Sequence, residues 1–223
     1  MYKDAKELLN KEIDFGLKKQ IYYSIHNGTE VFKEVLGRSI DVFGADLSTN
    51  ILPRVMTFCI DRQFSPDLYV AKNGFESNTR SVNVFNYKVV ELANSNMLLH
   101  VAKTKNGILL PNKSKYKLEY SRNNDFGQEQ LKLDLGDKHN TKVINSPYYG
   151  IIVYSIGRGY EVQSINLIVP NYNMEHYLEK IDIKEEIERL KTVENDRENE
   201  KTLVTLKDIV KNNKEEIINK KIN

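Results

Sequence analysis

The chain has 223 residues, 29% of them charged and 40% apolar, with a formal net charge of +2. That is the composition of an ordinary globular protein large enough to bury a sizeable core. It excludes a chain driven onto nucleic acid or anionic membrane by its overall field, and a single cysteine, Cys59, excludes an internal disulfide.

Residues 4–25 carry Leu8, Leu9, Ile13, Leu17, Ile21 and Ile25 at spacings of three and four, which predicts an amphipathic helix. Asp4 followed by Glu7 supplies its capping box, Asn27-Gly28 its end, and Gly16 weakens its middle. A second helix is expected from Thr29, with Val31, Phe32, Val35 and Leu36 as its stripe and Gly37 as its close. Residues 39–47 read equally as a short strand or as a continuation of that helix. A third helix from Ser48 or Thr49 to about Phe64 buries Leu52, Val55, Met56, Cys59, Ile60 and Phe64, with Pro53 in its first turn. Cys59, within that apolar run, reads as a small buried hydrophobe.

From Pro66 the period becomes strand-like. Residues 67–71, 81–92, 97–104, 115–121 and 131–135 are the expected strands, the second and third joined as a hairpin across residues 93–96. The strongest signal in the chain is residues 146–171. Residues 150–156 are β-branched and aromatic, Gly157-Arg158-Gly159 makes a tight turn, and residues 160–169 run back with Ile165, Leu167 and Val169 alternating. Ile151 to Val153 are apolar on both faces, which places this strand centrally in the sheet. Arg158 at the tip reads as a solvated turn charge. After Pro170 the spacing of Tyr177, Leu178, Ile181, Ile183, Ile187 and Leu190 predicts a helix over residues 174–192.

Residues 193–202 read as a polar linker or solvated helix. Residues 203–222 form an amphipathic helix with Leu203, Leu206, Ile209, Val210, Ile217, Ile218 and Ile222 on its stripe. The predicted protein is therefore α+β: N-terminal helices, a central mainly antiparallel sheet of about six or seven strands, and C-terminal helices. Residues 1–192 form one domain, and residues 193–223 a linker with an amphipathic helix suited to a protein partner or to self-association.

Two patterns bear on function. Pro66-Asp67 followed by Asn86-Tyr87-Lys88 resembles the frame of the PD-(D/E)XK nucleases, in which an acid and a lysine on neighbouring strands hold Mg²⁺ and position water. The resemblance covers only about 25 residues and departs at the second acid, which here is Asn86; Asp61 and Glu91 are nearby acids at other spacings. The second pattern is a basic segment. Lys103, Lys105, Lys113, Lys115, Lys117 and Arg122 stand against one acid, Glu119, with Tyr116 and Tyr120 interleaved. Lysines neutralise phosphates and tyrosine faces stack on bases, which points to nucleic acid. On a strand, Lys115 and Lys117 face away from Tyr116 and Tyr120, and the same residues also fit an edge strand guarded by lysines over a tyrosine core.

His26, His100, His139 and His176 are scattered without metal-ligand spacing, and no serine elbow, phosphate loop or dinucleotide fingerprint is present, so no metal and no cofactor are expected. No apolar run reaches membrane-span length and the first residues show no signal-peptide core, so a cytoplasmic location without membrane is expected. The weight of Lys, Asn and Ile with no Trp fits an AT-rich coding sequence, as in low-GC bacteria and their phages. The expectation is a non-catalytic binding or regulatory protein acting on nucleic acid or on a protein that handles it. The alternatives are a nuclease of the PD-(D/E)XK type, active or inactive, and a pure protein-interaction module.

Overall fold

A computed structural model describes residues 2–44, 46–71, 74–82, 87–126 and 147–192. The expected strand at 131–135 and the expected linker and helix at 193–222 lie outside these residues. The chain divides into two units, Met1–Lys184 and Glu185–Asn223. Of the second, the described residues 185–192 are helical.

The first unit is α+β. Its N-terminal half holds α1 (Ala5–Glu12), α2 (Phe15–Arg38), the short α3 (Ile40–Phe43), a 3-10 turn over Asp46–Asn50, and α4 (Leu52–Gln63). The predicted helix over residues 4–25 is thus two helices. Asp4 caps α1 as expected, its carboxylate accepting from the Glu7 N–H at 2.8 Å. Asp14 caps α2 in the same way through the Leu17 N–H at 2.8 Å, and this second cap starts a new helix where the apolar stripe alone shows no break. Asn27-Gly28 does not end a helix: α2 runs straight through it to Arg38. Gly28 is needed there for packing, because a Cβ at this position would lie 2.6 Å from the Ile60 Cα of α4.

Six strands form one sheet in the order β1-β2-β3-β4-β5-β6: β1 (Glu76–Ser81), β2 (Lys88–Ala93), β3 (Met97–Lys103), β4 (Tyr148–Ile156), β5 (Val162–Pro170) and β6 (Tyr177–Asp182). All neighbours are antiparallel except β3 and β4, which are parallel. A parallel pair needs a crossover, and α5 (Lys115–Ser121) lies in it. The hairpin of β4 and β5 stands where the sequence placed it, turned through Gly159 (φ 70°) and Tyr160 (φ 61°).

Four strand expectations change. Residues 67–71 form no strand; they continue the turn that follows α4. The expected strand over 81–92 is divided between β1 and β2, which pair with each other, Ser81 opposite Lys88. Residues 115–121 form α5 instead of a strand, since Tyr116 and Tyr120 at an i,i+4 spacing share a helical face as readily as a pleated one. Residues 177–182 form β6, because pairing with the outer edge of β5 outweighs a helical spacing that is only locally favourable.

The sheet is covered on both faces. Leu98, Tyr149, Ile151, Val153 and Ile168 point to one face, where Leu118 and Tyr120 of α5 pack on them. Leu99, Ile152, Ile165 and Leu167 alternate to the other face, together with Tyr154, which stands beside Thr57 and Asp61 of α4. Both strands of the central hairpin are buried along most of their length, as their two-sided apolar sequence requires. No helix among the described residues is long and apolar enough to cross a membrane.

Candidate nucleic-acid interface

β2 and β3 pair over only three positions: Glu91 with His100, Leu92 with Leu99 and Ala93 with Leu98. Beyond them β2 continues with β1 and β3 continues with β4, so the sheet forks. At the crotch of the fork lie His100 and Glu91, 1% and 8% exposed. His100 Nε2 is 3.1 Å from Glu91 Oε1, and its Nδ1 is 3.0 Å from the Tyr149 hydroxyl. Tyr120 of α5 donates to the same Glu91 oxygen at 2.9 Å. These partners assign the tautomer: Nε2 carries the proton toward the carboxylate, and Nδ1 accepts from Tyr149. Burial holds the His100 pKa below its usual value, although the Glu91 carboxylate pulls the other way; Lys117 and Arg80 add to the lowering. The imidazole is therefore neutral at pH 7, and the network is saturated and structural.

Three tyrosines frame the imidazole. The rings of Tyr116, Tyr120 and Tyr149 have centroids 5.3, 5.4 and 5.4 Å from that of His100. Burial pushes the Tyr116 pKa up to about 12 and raises that of Tyr149 as well, so both keep their protons. On the outer side two cations rest on these rings. The Arg80 guanidinium carbon is 5.2 Å from the Tyr120 centroid and also contacts its hydroxyl; Lys117 Nζ is 5.8 Å from the Tyr116 centroid. Arg80 comes from β1 and Lys117 from α5, so the fork brings together residues far apart in sequence.

The six basic residues singled out by sequence do not share one face. Lys117 joins Arg80 at the fork, also reaching the Asn112 carbonyl at 3.4 Å. Lys113 is drawn to Glu175, 4.0 Å away. Lys115 is exposed on α5, about 200° around the helix from Lys117, because the segment is helical and not extended. Lys103 ends β3, and Lys105 and Arg122 are exposed in the loops after β3 and α5. The nuclease-like frame does not assemble on neighbouring strands either. Asp67 lies in the turn after α4, held by a bidentate contact with Arg62 and by Ser65 Oγ at 2.8 Å; these bonds keep its carboxyl well below the usual range. Lys88 opens β2, and Asn86 lies outside the described residues. Among the described residues no three His, Cys, Asp or Glu side chains group as a metal-ligand set.

Sequence reading missed Arg80, Glu91, His100 and Tyr149. One signal was available, for His100 alone. His100 interrupts the apolar run of residues 97–102, but the predicted turn at 93–96 would set Val89 opposite it, and the observed pairing of Glu91 with His100 is shifted from that register by two residues.

Asp61, on the α4 side of the fork, is a different case. Its carboxylate makes no hydrogen bond or ion pair among the described residues, and burial pushes its pKa up to about 7. It stands within electrostatic range of Tyr116 and Tyr154. A carboxyl with a raised folded pKa is tolerated below its unfolded value and costs stability as pH rises through the folded one. Asp61→Asn is therefore expected to match the wild type near pH 4 and to exceed it at pH 8, by at most about 4 kcal/mol. Urea midpoints at the two pH values check this; an equal gain at both would show that charge burial is not the cause.

Comparison of the chain with protein-family models, with curated proteins and with solved structures finds no match in any of the three.

Proposed function

We propose that the protein binds single-stranded nucleic acid, without catalysis of its own, on the face formed by β1, the β2–β3 fork and α5. The observation that carries this reading is the pair of cations seated on tyrosine rings, Arg80 on Tyr120 and Lys117 on Tyr116, above a rigid buried floor. Cations so placed neutralise two phosphates, while the neighbouring aromatic surface, including Tyr87 at 58% exposure, offers bases a stacking partner without reading their sequence. The saturated Glu91–His100–Tyr149 network supports the platform by fixing the rings before any ligand arrives. Hydrolysis is left out of the proposal because Asp67, the acid of the nuclease-like frame, is engaged by Arg62.

A net charge of +2 supplies no long-range attraction, so binding should depend on local contacts and weaken steeply with salt. Fluorescence anisotropy with a labelled single-stranded oligonucleotide tests this. Arg80→Glu with Lys117→Glu is expected to lower affinity at least about tenfold and to reduce the salt slope by roughly 1.4, about 0.7 per lost phosphate contact. Thermal unfolding of the double variant checks that the fold is kept, because Arg80 is exposed but Lys117 is half-buried. No binding at low salt, or equal binding by the double variant, would sink the proposal.

A further inference from the structure

Beyond the three pairs that join β2 to β3, the two strands part. Continued in the same register, Val90 would face Val101 and Val89 would face Ala102, and neither pair forms. The sheet is therefore open here, with α5 on one side and α4 on the other. Tyr154, opposite Lys103 on β4, stands at this end of β3. Asp61 of α4 and Tyr116 of α5 lie within electrostatic range of each other from the two sides of the sheet. Tyr87, the residue before β2, lies within the same range of Tyr116 and of Tyr154. The fork thus gathers Asp61, Tyr87, Tyr116 and Tyr154 from four separate parts of the chain.

Polar groups at this place are left unengaged. Thr57 and Asp61, one helical turn apart on α4, both stand beside Tyr154. Thr57 gives its hydroxyl proton to the Pro53 carbonyl at 2.9 Å. The Tyr154 hydroxyl, on a side chain fully shielded from water, completes no hydrogen bond. The Asp61 carboxylate, half-buried and so still within reach of a ligand, makes none among the described residues. An unpaired carboxylate in such surroundings costs stability at neutral pH. Charge held at that cost is characteristic of sites where a ligand supplies the missing partners.

We propose that Asp61 reads a guanine base of the single strand bound at the fork, accepting from its N1–H and its 2-amino group. The inference rests on the nucleic-acid reading of this face given above. A carboxylate offers two parallel acceptors. Guanine alone sets two donors side by side on its Watson–Crick edge. Adenine and cytosine place an acceptor beside their amino group, and thymine and uracil flank a single N–H with two carbonyls. Each of these turns a lone pair toward the carboxylate. The pairing with guanine is charge-assisted and bidentate, the strongest class of such contacts. Tyr87, 58% exposed, supplies a ring on which the base stacks. Stacking tolerates any base, so Asp61 adds the one position at which the strand is read.

Fluorescence anisotropy of the full chain with four labelled twelve-nucleotide strands tests the assignment. Each strand is oligothymidylate with one central replacement: guanine, hypoxanthine, adenine or cytosine. The guanine strand is expected to bind at least about fivefold more tightly than the adenine and cytosine strands. Hypoxanthine keeps N1–H but lacks the amino group, and its strand should fall between them. Asp61→Asn should lose the guanine preference, since its amide turns a donor toward the base. Loss of fold does not confuse this result, because the variant removes a buried charge and is expected to be at least as stable as the wild type. Arg80→Glu with Lys117→Glu should weaken all four strands and keep the preference, which separates the base contact from the phosphate contacts. Equal binding of the four strands, or a preference undiminished in Asp61→Asn, would overturn the assignment while leaving the nucleic-acid reading in place. Binding of no strand at low salt would overturn that reading, and this inference with it.

Discussion

Gly28→Ala is expected to destabilise the protein, although the same change inside most helices stabilises it. Alanine gains about 1 kcal/mol of helix propensity over glycine. Here the new methyl would lie 2.6 Å from Ile60 Cα, 2.8 Å from Ile60 Cγ1 and 3.0 Å from the Cys59 carbonyl oxygen. Two of these three are backbone atoms, so relief requires α2 and α4 to separate. Ile21, Ile25, Phe32 and Ile60, all essentially inaccessible to water, would lose contact with them. Overpacking of this kind costs typically 1–3 kcal/mol and more where backbone must move, so a net loss of about 1–2 kcal/mol is expected. In a chain of this size that lowers the melting temperature by roughly 2–8 °C. A midpoint equal to or above wild type would mean that the helices separate at little cost.

A larger effect is expected at Asn124. Its side chain acts as a one-residue extension of the sheet, bonding the backbone of β4 and the end of β5 at once. Asn124→Ala leaves the Tyr149 N–H and the Tyr149 and Pro170 carbonyls without these partners, in a region where Tyr149 is inaccessible to water. At about 1–3 kcal/mol for each buried group left unpaired, a total loss of at least about 3 kcal/mol follows. Asn124→Asp should fare no better, because it restores the acceptor but turns carboxylate oxygen toward two carbonyls. Urea unfolding of both variants decides the matter: rescue by aspartate would show that only the Tyr149 N–H bond counts.

The parts of this fold that were legible in the sequence are those where one local pattern dominates. The β4–β5 hairpin announces itself through two apolar strands and a glycine turn, and Asp4 announces α1. The segments that changed identity are short and amphipathic in both periods. In α5, Tyr116 and Tyr120 are two turns of a pleat or one turn of a helix apart, and what decides is the imidazole beneath them. In β6, the spacing of Tyr177, Leu178 and Ile181 is helical, yet the open edge of β5 claims the backbone. Asp14 was overlooked because an unbroken apolar stripe hides a cap within it. Gly28 misled for the converse reason: a helix terminator by propensity, it serves a helix crossing that only tertiary structure reveals. The basic segment was legible as charge but not as geometry, since a helix scatters lysines that a strand would align. Its most relevant partner, Arg80, lies far upstream on β1 and carries no local mark.

The one parallel pairing in the sheet has a consequence for how the chain reaches its native state. β4 and β5 are joined by a turn of a few residues, so they can zip together without closing a long loop. β3 can add to β4 only after the whole connection from Lys103 to Tyr148 has been closed, at an entropic cost that no neighbouring contact repays in advance. The hairpin is thus expected to be organised early in the folding transition state, and the seam between β3 and β4 late. Conservative truncations such as Ile165→Val should slow refolding, whereas Leu99→Ala should act mainly by speeding unfolding. The last seam to form in the sheet is then the one beside the fork, so the surface proposed to meet nucleic acid would be completed near the end of folding.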